Sequence, residues 1–249
     1  MSIVHRPMPT LLDALRVEVA AGRAPEPSRA MLERWNALRT RTPRLFNGPI
    51  LAFVSFDGAA STIHARRDSY LRLTCQDESD PPIVSLLGVT GLLVAAPPGE
   101  PTRVLLGRRS REVWACPGKW EFGPAGGLHA PGVFDDDQPA TLNGRDALDH
   151  LLREIREEIG ITLPPARAVP ECITLDPAGR GTDIVLRLEY DRAPEALPTA
   201  HAPDAWEYEE TRWLTLAELA AFSASHGDEM IAPTRAIARR MVESLRLEA

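Results

Sequence analysis

The segment ALDHLLREIREEIGI, at residues 147–161, constrains the fold of this chain more than any other. At about 100° per residue, its leucines and isoleucines occupy one side of a helix, and Glu154, Glu157 and Glu158 fall within one arc of the other side. Gly160 follows the periodic residues and predicts the C-terminal end of this helix. The chain is therefore predicted to contain a helix that is anchored by an apolar face and displays three carboxylates.

Three carboxylates at this spacing repel one another. In isolated helices, like charges three or four residues apart cost about 0.2–0.5 kcal/mol per pair. Arg153 and Arg156 offset part of that repulsion, and a hard divalent cation would offset more, because Mg²⁺ prefers carboxylate, water and phosphate oxygens as ligands. A solvated, charged helix face is the competing interpretation.

Around this helix the pattern alternates short strand-like segments with a few further helices. Residues 9–40 predict two helices broken at AGRAPEPS, with Ser28 as the N-cap of the second. Strands are predicted at ILAFVSF, STIHARRD, YLRLTC, IVSLLGVTGLLVAA, TRVLLGRRS, CITLDP, DIVLRLEY and TRWLTL. A short helix at LAELAAF and a last one near 230–246 complete the chain. Because there is no regular βαβ alternation and no GxGxxG, the pattern predicts an α/β sandwich with a mixed sheet rather than a Rossmann fold.

Composition narrows the class of protein. The chain has 249 residues, 44% of them hydrophobic, and a net charge of −7. That charge disfavours nucleic acid and acidic membrane as partners. No secretory leader or apolar run of membrane-spanning length is recognisable. Three widely spaced cysteines suggest no disulfide framework, so a reducing cytoplasm is predicted.

The carboxylate helix also carries a motif. The string REIREEIGI, at residues 153–161, resembles the second half of the Nudix signature, R-E-U-x-E-E-x-G-U with U aliphatic, at every specified position. Upstream, WEFGPAGG at 120–127 is similar to the strand and double glycine that lead into the family's signature loop. Downstream, EETRWLTLAEL at 209–219 is similar to a Glu-x-x-Trp segment near the end of the domain. The resemblance covers roughly residues 83–246 and implies a Nudix-type α/β/α sandwich.

The first half of the signature departs from the family pattern. Counting forward from Gly127 places the expected Glu at Val133, and counting back from Arg153 places it at Arg145. We interpret the polar, acidic stretch VFDDDQPATLN, at 133–143, as a flexible insertion in the signature loop. Asp146 or one of Asp135–Asp137 is then a candidate substitute for the missing Glu.

The resemblance implies roles for individual residues. Glu157 and Glu158 are implied to be the principal Mg²⁺ ligands, with Mn²⁺ as an alternative metal, and Glu154 a third ligand or the base that orients water. Arg153 is implied to hold these carboxylates by ion pairing. The backbone near Gly126 or Gly127 is implied to complete the metal site.

Other residues are candidates for substrate binding. Arg109, in an arginine-rich strand, can clamp phosphate or simply lie on the surface. Trp120 can stack on a base, with core packing the favoured interpretation. Gly126 is a further candidate at the loop, and Glu209 or Glu210 is a candidate late general base.

A narrower resemblance concerns the N-terminal part. RWNALRTRTPRLFNGPILAF at 34–53 and YLRL at 70–73 are similar to the UDP-glucose pyrophosphatase branch of the family, in which a small extra domain precedes the hydrolase domain. This implies an α+β extension at 1–80, a hydrolase domain at 81–249 and cleavage of a UDP-sugar to UMP and sugar 1-phosphate.

Alternative functions stay open at the level of sequence. The alternative substrates are ADP-ribose and dinucleotides. A non-catalytic nucleotide-sugar sensor is motivated by the altered first half of the signature, while the intact Glu cluster argues against it. The oligomeric state is also open, with a homodimer as one option.

Overall fold

The computed structural model describes residues 4–8, 11–42, 45–77, 80–129, 137–197 and 206–248. The strands are β1 (Val4–Pro7), β2 (Arg16–Val19), β3 (Pro49–Asp57), β4 (Thr62–Ser69), β5 (Leu86–Ala95), β6 (Arg103–Arg109), β7 (Trp120–Phe122), β8 (Ala125–Gly127), β9 (Ala140–Asn143), β10 (Arg167–Asp176), β11 (Gly181–Tyr190) and β12 (Tyr208–Thr215). The α-helices are α1 (Arg29–Arg41), α2 (Tyr70–Cys75), α3 (Gly144–Ile159), α4 (Leu216–His226) and α5 (Ala232–Glu248).

The strands form one 12-stranded mixed sheet, as predicted. β5 lies at its centre and runs parallel to β11 over its whole length. It pairs antiparallel with β8 through its N-terminal half and with β6 at its last two residues. Strands β8 and β6 therefore meet β5 at different points along its length, β7 pairs with β6, and side chains from distant segments converge in the irregular region between them.

Helices cover both faces of this sheet. On one face α3 buries Leu151 and Ile155 in a core that includes Val89 and Leu186. On the other face α4 and α5 pack over a second core, to which Phe122 and Ile237 belong. The predicted α/β sandwich is confirmed, because each element buries one apolar face against the layer beside it. No helix in the described part of the chain is long and apolar enough to cross a membrane.

The N-terminal residues join this sheet at several points. β1 pairs with β10, and β2 pairs with β9. β3 reaches β5 through the pair Ala52 and Leu86. Helices α1 and α2 bury a separate small cluster, to which Trp35 and Leu71 belong. The boundary at residue 80 stays a prediction.

Local signals define helix α3 at both ends. The Asn143 side chain accepts hydrogen bonds from the backbone N–H groups of Arg145 and Asp146, and the Asp146 carboxylate accepts one from the Asn143 N–H at 2.8 Å. This reciprocal capping box satisfies donors that a helix start leaves free. At the other end Gly160 is left-handed, with φ of 75°, as predicted for a C-terminal cap.

Asn143→Ala is expected to lower the free energy of unfolding by about 1 kcal/mol, because the first turn of α3 loses its cap. Urea unfolding of the two proteins measures the difference. Asn36→Ala, at an exposed position within α1, is the control, and its unfolding should change little or improve. Equal destabilisation by both substitutions would contradict a capping role.

Three predicted elements differ in the structure. The predicted first helix is a short 3₁₀ turn at Leu12–Ala14 followed by strand β2, because its apolar residues pair into the sheet. The predicted strand YLRLTC is helix α2, which begins at Ser69, whose side chain accepts from the Arg72 N–H. In the predicted flexible insertion, residues 133–136 lie outside the described residues, but its last four residues form β9 against β2.

Candidate active site

Helix α3 presents Glu154 and Glu158 to the double-glycine strand β8. Glu154 lies directly against Gly126, where a β-carbon would stand 3.7 Å from its carboxylate. The two glutamates are four residues apart and therefore share one helix face. Both are partly buried, whereas Glu157 is exposed. The helical pattern predicts that Glu157 and Glu158 both face solvent, and for Glu158 this is wrong, because it is partly buried near Glu207, Glu154 and Glu121.

Arg153 contacts Glu154 as the sequence suggested. Its guanidinium donates to Glu154 Oε1 at 3.1 Å and lies 2.7 Å from His150 Nδ1. His150 is buried, and its Nε2 is 3.6 Å from the same Glu154 oxygen. Burial lowers the pKa of His150, so the ring is neutral near pH 7. The Glu154 carboxylate is thus held by the Arg153 guanidinium, with the neutral His150 ring beside it but beyond hydrogen-bond distance.

Glu158 carries the strongest electrostatic signal at this site. Its Oε2 atom is buried and finds no hydrogen-bond partner among the described residues. Burial, and then the negative charges of Glu207, Glu154 and Glu121, raise the pKa of Glu158 to about 9. A buried carboxylate surrounded by carboxylates is costly by itself, and a hard divalent cation would remove that cost. The donor set therefore fits a divalent metal.

These carboxylates do not already form a closed metal cage. Among the described residues, no group of three or more His, Cys, Asp or Glu side chains is arranged to hold a metal ion. A site that binds metal through a few carboxylates, water and substrate phosphate needs no such cage.

A second buried network links three strands beside the glutamates. Glu121, on β7, accepts from Arg109 Nη1, on β6, at 2.5 Å and from the Tyr208 hydroxyl, on β12, at 2.7 Å. Arg109 also donates through Nε to the Ala115 carbonyl at 2.9 Å. Gly107 makes room for the Tyr208 ring, which a β-carbon there would overlap. The network holds one arginine and one carboxylate at fixed positions near Glu158.

A cavity of about 230 Å³ opens beside this network. Arg109, Glu121, Gly126 and Gly127 line its near side. The cavity and the Glu154 carboxylate therefore share the Gly126 backbone as a common wall.

Trp120 lies in the core rather than in this cavity. It is 2% exposed, packs edge-on against Phe222 with ring centroids 5.2 Å apart, and has the Arg212 guanidinium 4.9 Å above its ring. A side chain covered in this way offers no free face to a base, so its position supports core packing, the favoured interpretation.

Comparisons with known proteins show the family of this chain. A family model described as NUDIX domain matches residues 87–234, more than half of the chain. The chain belongs to the Nudix family. As a Nudix protein it is a pyrophosphohydrolase, and its family uses divalent metals. No curated protein matches it.

Several solved structures are similar to this Nudix chain. MutT protein from Methanosarcina mazei Go1 is 20% identical, with a TM-score of 0.41, over 64% of this chain and 94% of that one. A NUDIX hydrolase from Alicyclobacillus acidocaldarius is 14% identical, with a TM-score of 0.45, over 64% and 91%. The NUDIX domain of Shewanella oneidensis NrtR, complexed with ADP ribose, is 16% identical, with a TM-score of 0.41, over 70% and 99%.

Sequence reasoning missed one acidic residue near the carboxylate helix, Glu207, which immediately precedes β12. Glu207 raises the pKa of Glu158, and its own pKa is raised by burial and by Glu154 and Glu121. The two residues considered instead point elsewhere: Glu209 accepts from the Arg111 N–H, and Glu210 pairs with Arg212. The signal available in the sequence was the alternation along β12, but the irregular register between Tyr208 and Glu210 shifts which acid faces inward.

Proposed function

We propose that this Nudix protein is a Mg²⁺-dependent hydrolase of the pyrophosphate linkage in a nucleoside diphosphate joined to a second group, with UDP-sugars preferred. The products would be UMP and sugar 1-phosphate. The observation that carries the proposal is the buried Glu158 oxygen without a protein partner, surrounded by the charges of Glu154, Glu121 and Glu207.

The proposed metal ligands are Glu154, Glu157, Glu158 and the Gly127 backbone. Mg²⁺, or Mn²⁺ in its place, would polarise the phosphate and lower the pKa of the attacking water. Arg153 would keep Glu154 in position through their 3.1 Å contact. Exposed Glu157 can turn toward a metal that enters from solvent.

Residues of β6 and β8, and the residue that precedes β12, would bind substrate and move the proton. Arg109 and Gly126 line the cavity, so they are proposed to hold the phosphate that lies nearest to the metal. Glu207 replaces Glu209 and Glu210 as the proposed late base, because its raised pKa suits a group that accepts a proton near neutral pH.

The preference for UDP-sugars is supported by the N-terminal resemblance. Of the segments concerned, residues 34–41 lie in α1, residues 49–53 in β3 and residues 70–73 in α2. The proposal therefore retains an N-terminal extension at 1–80 before a hydrolase domain at 81–249. ADP-ribose and dinucleotides are the alternative substrates.

The protein is proposed to act in a reducing cytoplasm. Its proposed partner is a small-molecule substrate, and neither nucleic acid nor membrane is proposed to bind it. Cys75, Cys116 and Cys172 are all free thiols, which supports a reducing compartment. A homodimer is proposed as one possible oligomeric state, and light scattering can test it by measuring the molar mass in solution.

Product analysis tests the function. Purified protein with Mg²⁺ is offered UDP-glucose, UDP-galactose, ADP-ribose, NADH and a dinucleoside polyphosphate, and products are separated by ion-exchange chromatography. UMP and sugar 1-phosphate should form from the UDP-sugars, and EDTA should abolish their release. Cleavage of ADP-ribose alone would discard the UDP-sugar preference. Thermal stabilisation by a ligand without any cleavage would favour a sensor.

A further inference from the structure

The far wall of the cavity is built by the antiparallel pair β10 and β11. Thr174 lies directly opposite Asp183 in this pair, and Asp176 lies opposite Gly181. All four residues line the cavity. Because alternate residues of a strand share a face, Thr174, Asp176 and Asp183 project from the same side of the sheet. None of them is used by the proposed metal chemistry.

Asp183 is a half-buried carboxylate without a protein donor. No side chain or backbone group among the described residues donates a hydrogen bond to it. Its carboxylate lies against Gly88 on β5, where a β-carbon would overlap it. Burial, and then the charges of Glu121 and Asp176, raise the pKa of Asp183 to about 7. Donors supplied by a ligand would offset this desolvation.

Thr174 gives an independent observation at the same wall. The residue is 1% exposed, and its hydroxyl has no hydrogen-bond partner among the described residues. Buried hydroxyls in proteins are almost always hydrogen-bonded. A buried hydroxyl and an adjacent half-buried carboxylate, both without protein donors, therefore line one cavity and indicate a ligand with hydrogen-bonding groups.

The rest of the lining favours a sugar over a base. Leu86, Ile231, Pro233 and Ile237 complete the wall, and the described lining residues include no aromatic side chain. Base recognition commonly uses aromatic faces for stacking. Sugar hydroxyls each donate and accept, so they match an acceptor carboxylate beside a hydroxyl that does both.

We propose that Thr174 and Asp183 form a specificity-determining subsite that binds hydroxyl groups of the sugar in a nucleoside diphosphate sugar. The inference rests on the proposed function and extends it. The subsite faces the same cavity as Arg109 and Gly126, so a substrate could place its phosphates at the near side and its sugar against β10 and β11.

The test compares two substrates that differ only in hydroxyl groups. UDP-glucose is measured against the hexyl ester of UDP, which keeps the pyrophosphate and the base but has no sugar beyond it. The readout is the ratio of kcat/KM for the two compounds. Wild-type protein should favour UDP-glucose.

Two variants remove the subsite groups while preserving shape. Asp183→Asn should reduce the ratio about ten- to hundredfold, since a hydrogen bond to a charged group is lost. Thr174→Val should reduce it about fivefold. Turnover of the hexyl ester should be unchanged in both. Melting temperatures should be equal to or above that of wild type, because Asp183→Asn removes an uncompensated charge and Thr174→Val removes a buried hydroxyl that lacks a partner.

Matched controls come from the same strand. Thr182→Val removes a buried hydroxyl on the opposite face of β11, and Asp191→Asn removes an exposed carboxylate just beyond its end. Neither should alter the ratio.

The outcomes separate the inference from the proposed function. Unchanged ratios in both subsite variants, with active enzyme, would overturn the subsite and leave the hydrolase standing. If wild type cleaves neither compound, calorimetric titration with UDP-glucose and the hexyl ester in Ca²⁺ gives the same ratio from binding. A UDP-glucose preference lost in Asp183→Asn would then support the subsite without the hydrolase, and no binding of either compound would overturn both.

Discussion

Glu158→Gln is expected to lower UMP release from UDP-glucose by about 10²- to 10⁴-fold, the range typical of losing a group that acts in the transition state. The substitution keeps the shape of the side chain and removes the charge that would hold the cation. The buried Glu158 oxygen makes this the most sensitive position on α3. Steady-state rates with saturating Mg²⁺ measure the effect.

The same variant should fold at least as well as wild type. In metal-free buffer at pH 8, folding forces Glu158 to hold a proton that it loses in the unfolded chain, because burial and the charges of Glu207, Glu154 and Glu121 raise its pKa to about 9, and Gln avoids this cost. Its melting temperature in EDTA should therefore rise while its activity falls. Asp149→Asn, at an exposed position on the same helix, should change neither quantity. Near-normal turnover in Glu158→Gln would rule out the proposed metal site.

The metal-free protein should lose stability as pH rises from about 5 to 9. The folded-state pKa of Glu158 is about 9, while an unfolded glutamate titrates near 4.3, so the folded state holds the proton more tightly. Stability from this group is complete below the unfolded pKa and disappears as pH rises through the folded one. Asp183, with a pKa of about 7, contributes in the same direction over the lower part of this range. The combined loss should be on the order of a few kcal/mol.

Urea unfolding in EDTA at several pH values measures this loss. The matched protein is Glu158→Gln, whose stability should fall less over the same range. Mg²⁺ added at pH 8 should restore stability to wild type by mass action and affect the variant little. If the free energy of unfolding changed with pH equally in wild type and in Glu158→Gln, protonation of Glu158 would not be linked to folding.

Helix α3 is the element whose features are predicted best by residues that are neighbours in the sequence. Its apolar period and its end at Gly160 were predicted from neighbouring residues, whereas its start at the Asn143 cap was not, because residues 133–143 were assigned to a flexible insertion. Strands β3, β4, β10 and β11 were predictable for the same reason, because their apolar and β-branched content is a local property. The family was predictable from the contiguous string Arg153–Ile161.

Errors arose where long-range pairing overrode local preference. Residues 16–19 form a strand because β4 and β9 flank them, although their apolar spacing also suits a helix. YLRLTC has strand-like composition but forms α2 from the Ser69 cap onward. The conflict is physical, since a segment of four to six residues gains more from its partners than from its intrinsic propensity.

The sequence by itself determined the family, the mixed α/β architecture and the glutamates of α3, because those features depend on contiguous residues and their period. Only the tertiary structure decided that Glu207 rather than Glu209 or Glu210 faces the glutamates, that Trp120 is in the core, and that Thr174 and Asp183 share a cavity. Those three outcomes depend on strand register between segments far apart in the chain. A shift of one residue in such a pairing exchanges the buried and exposed faces, and no local pattern encodes it.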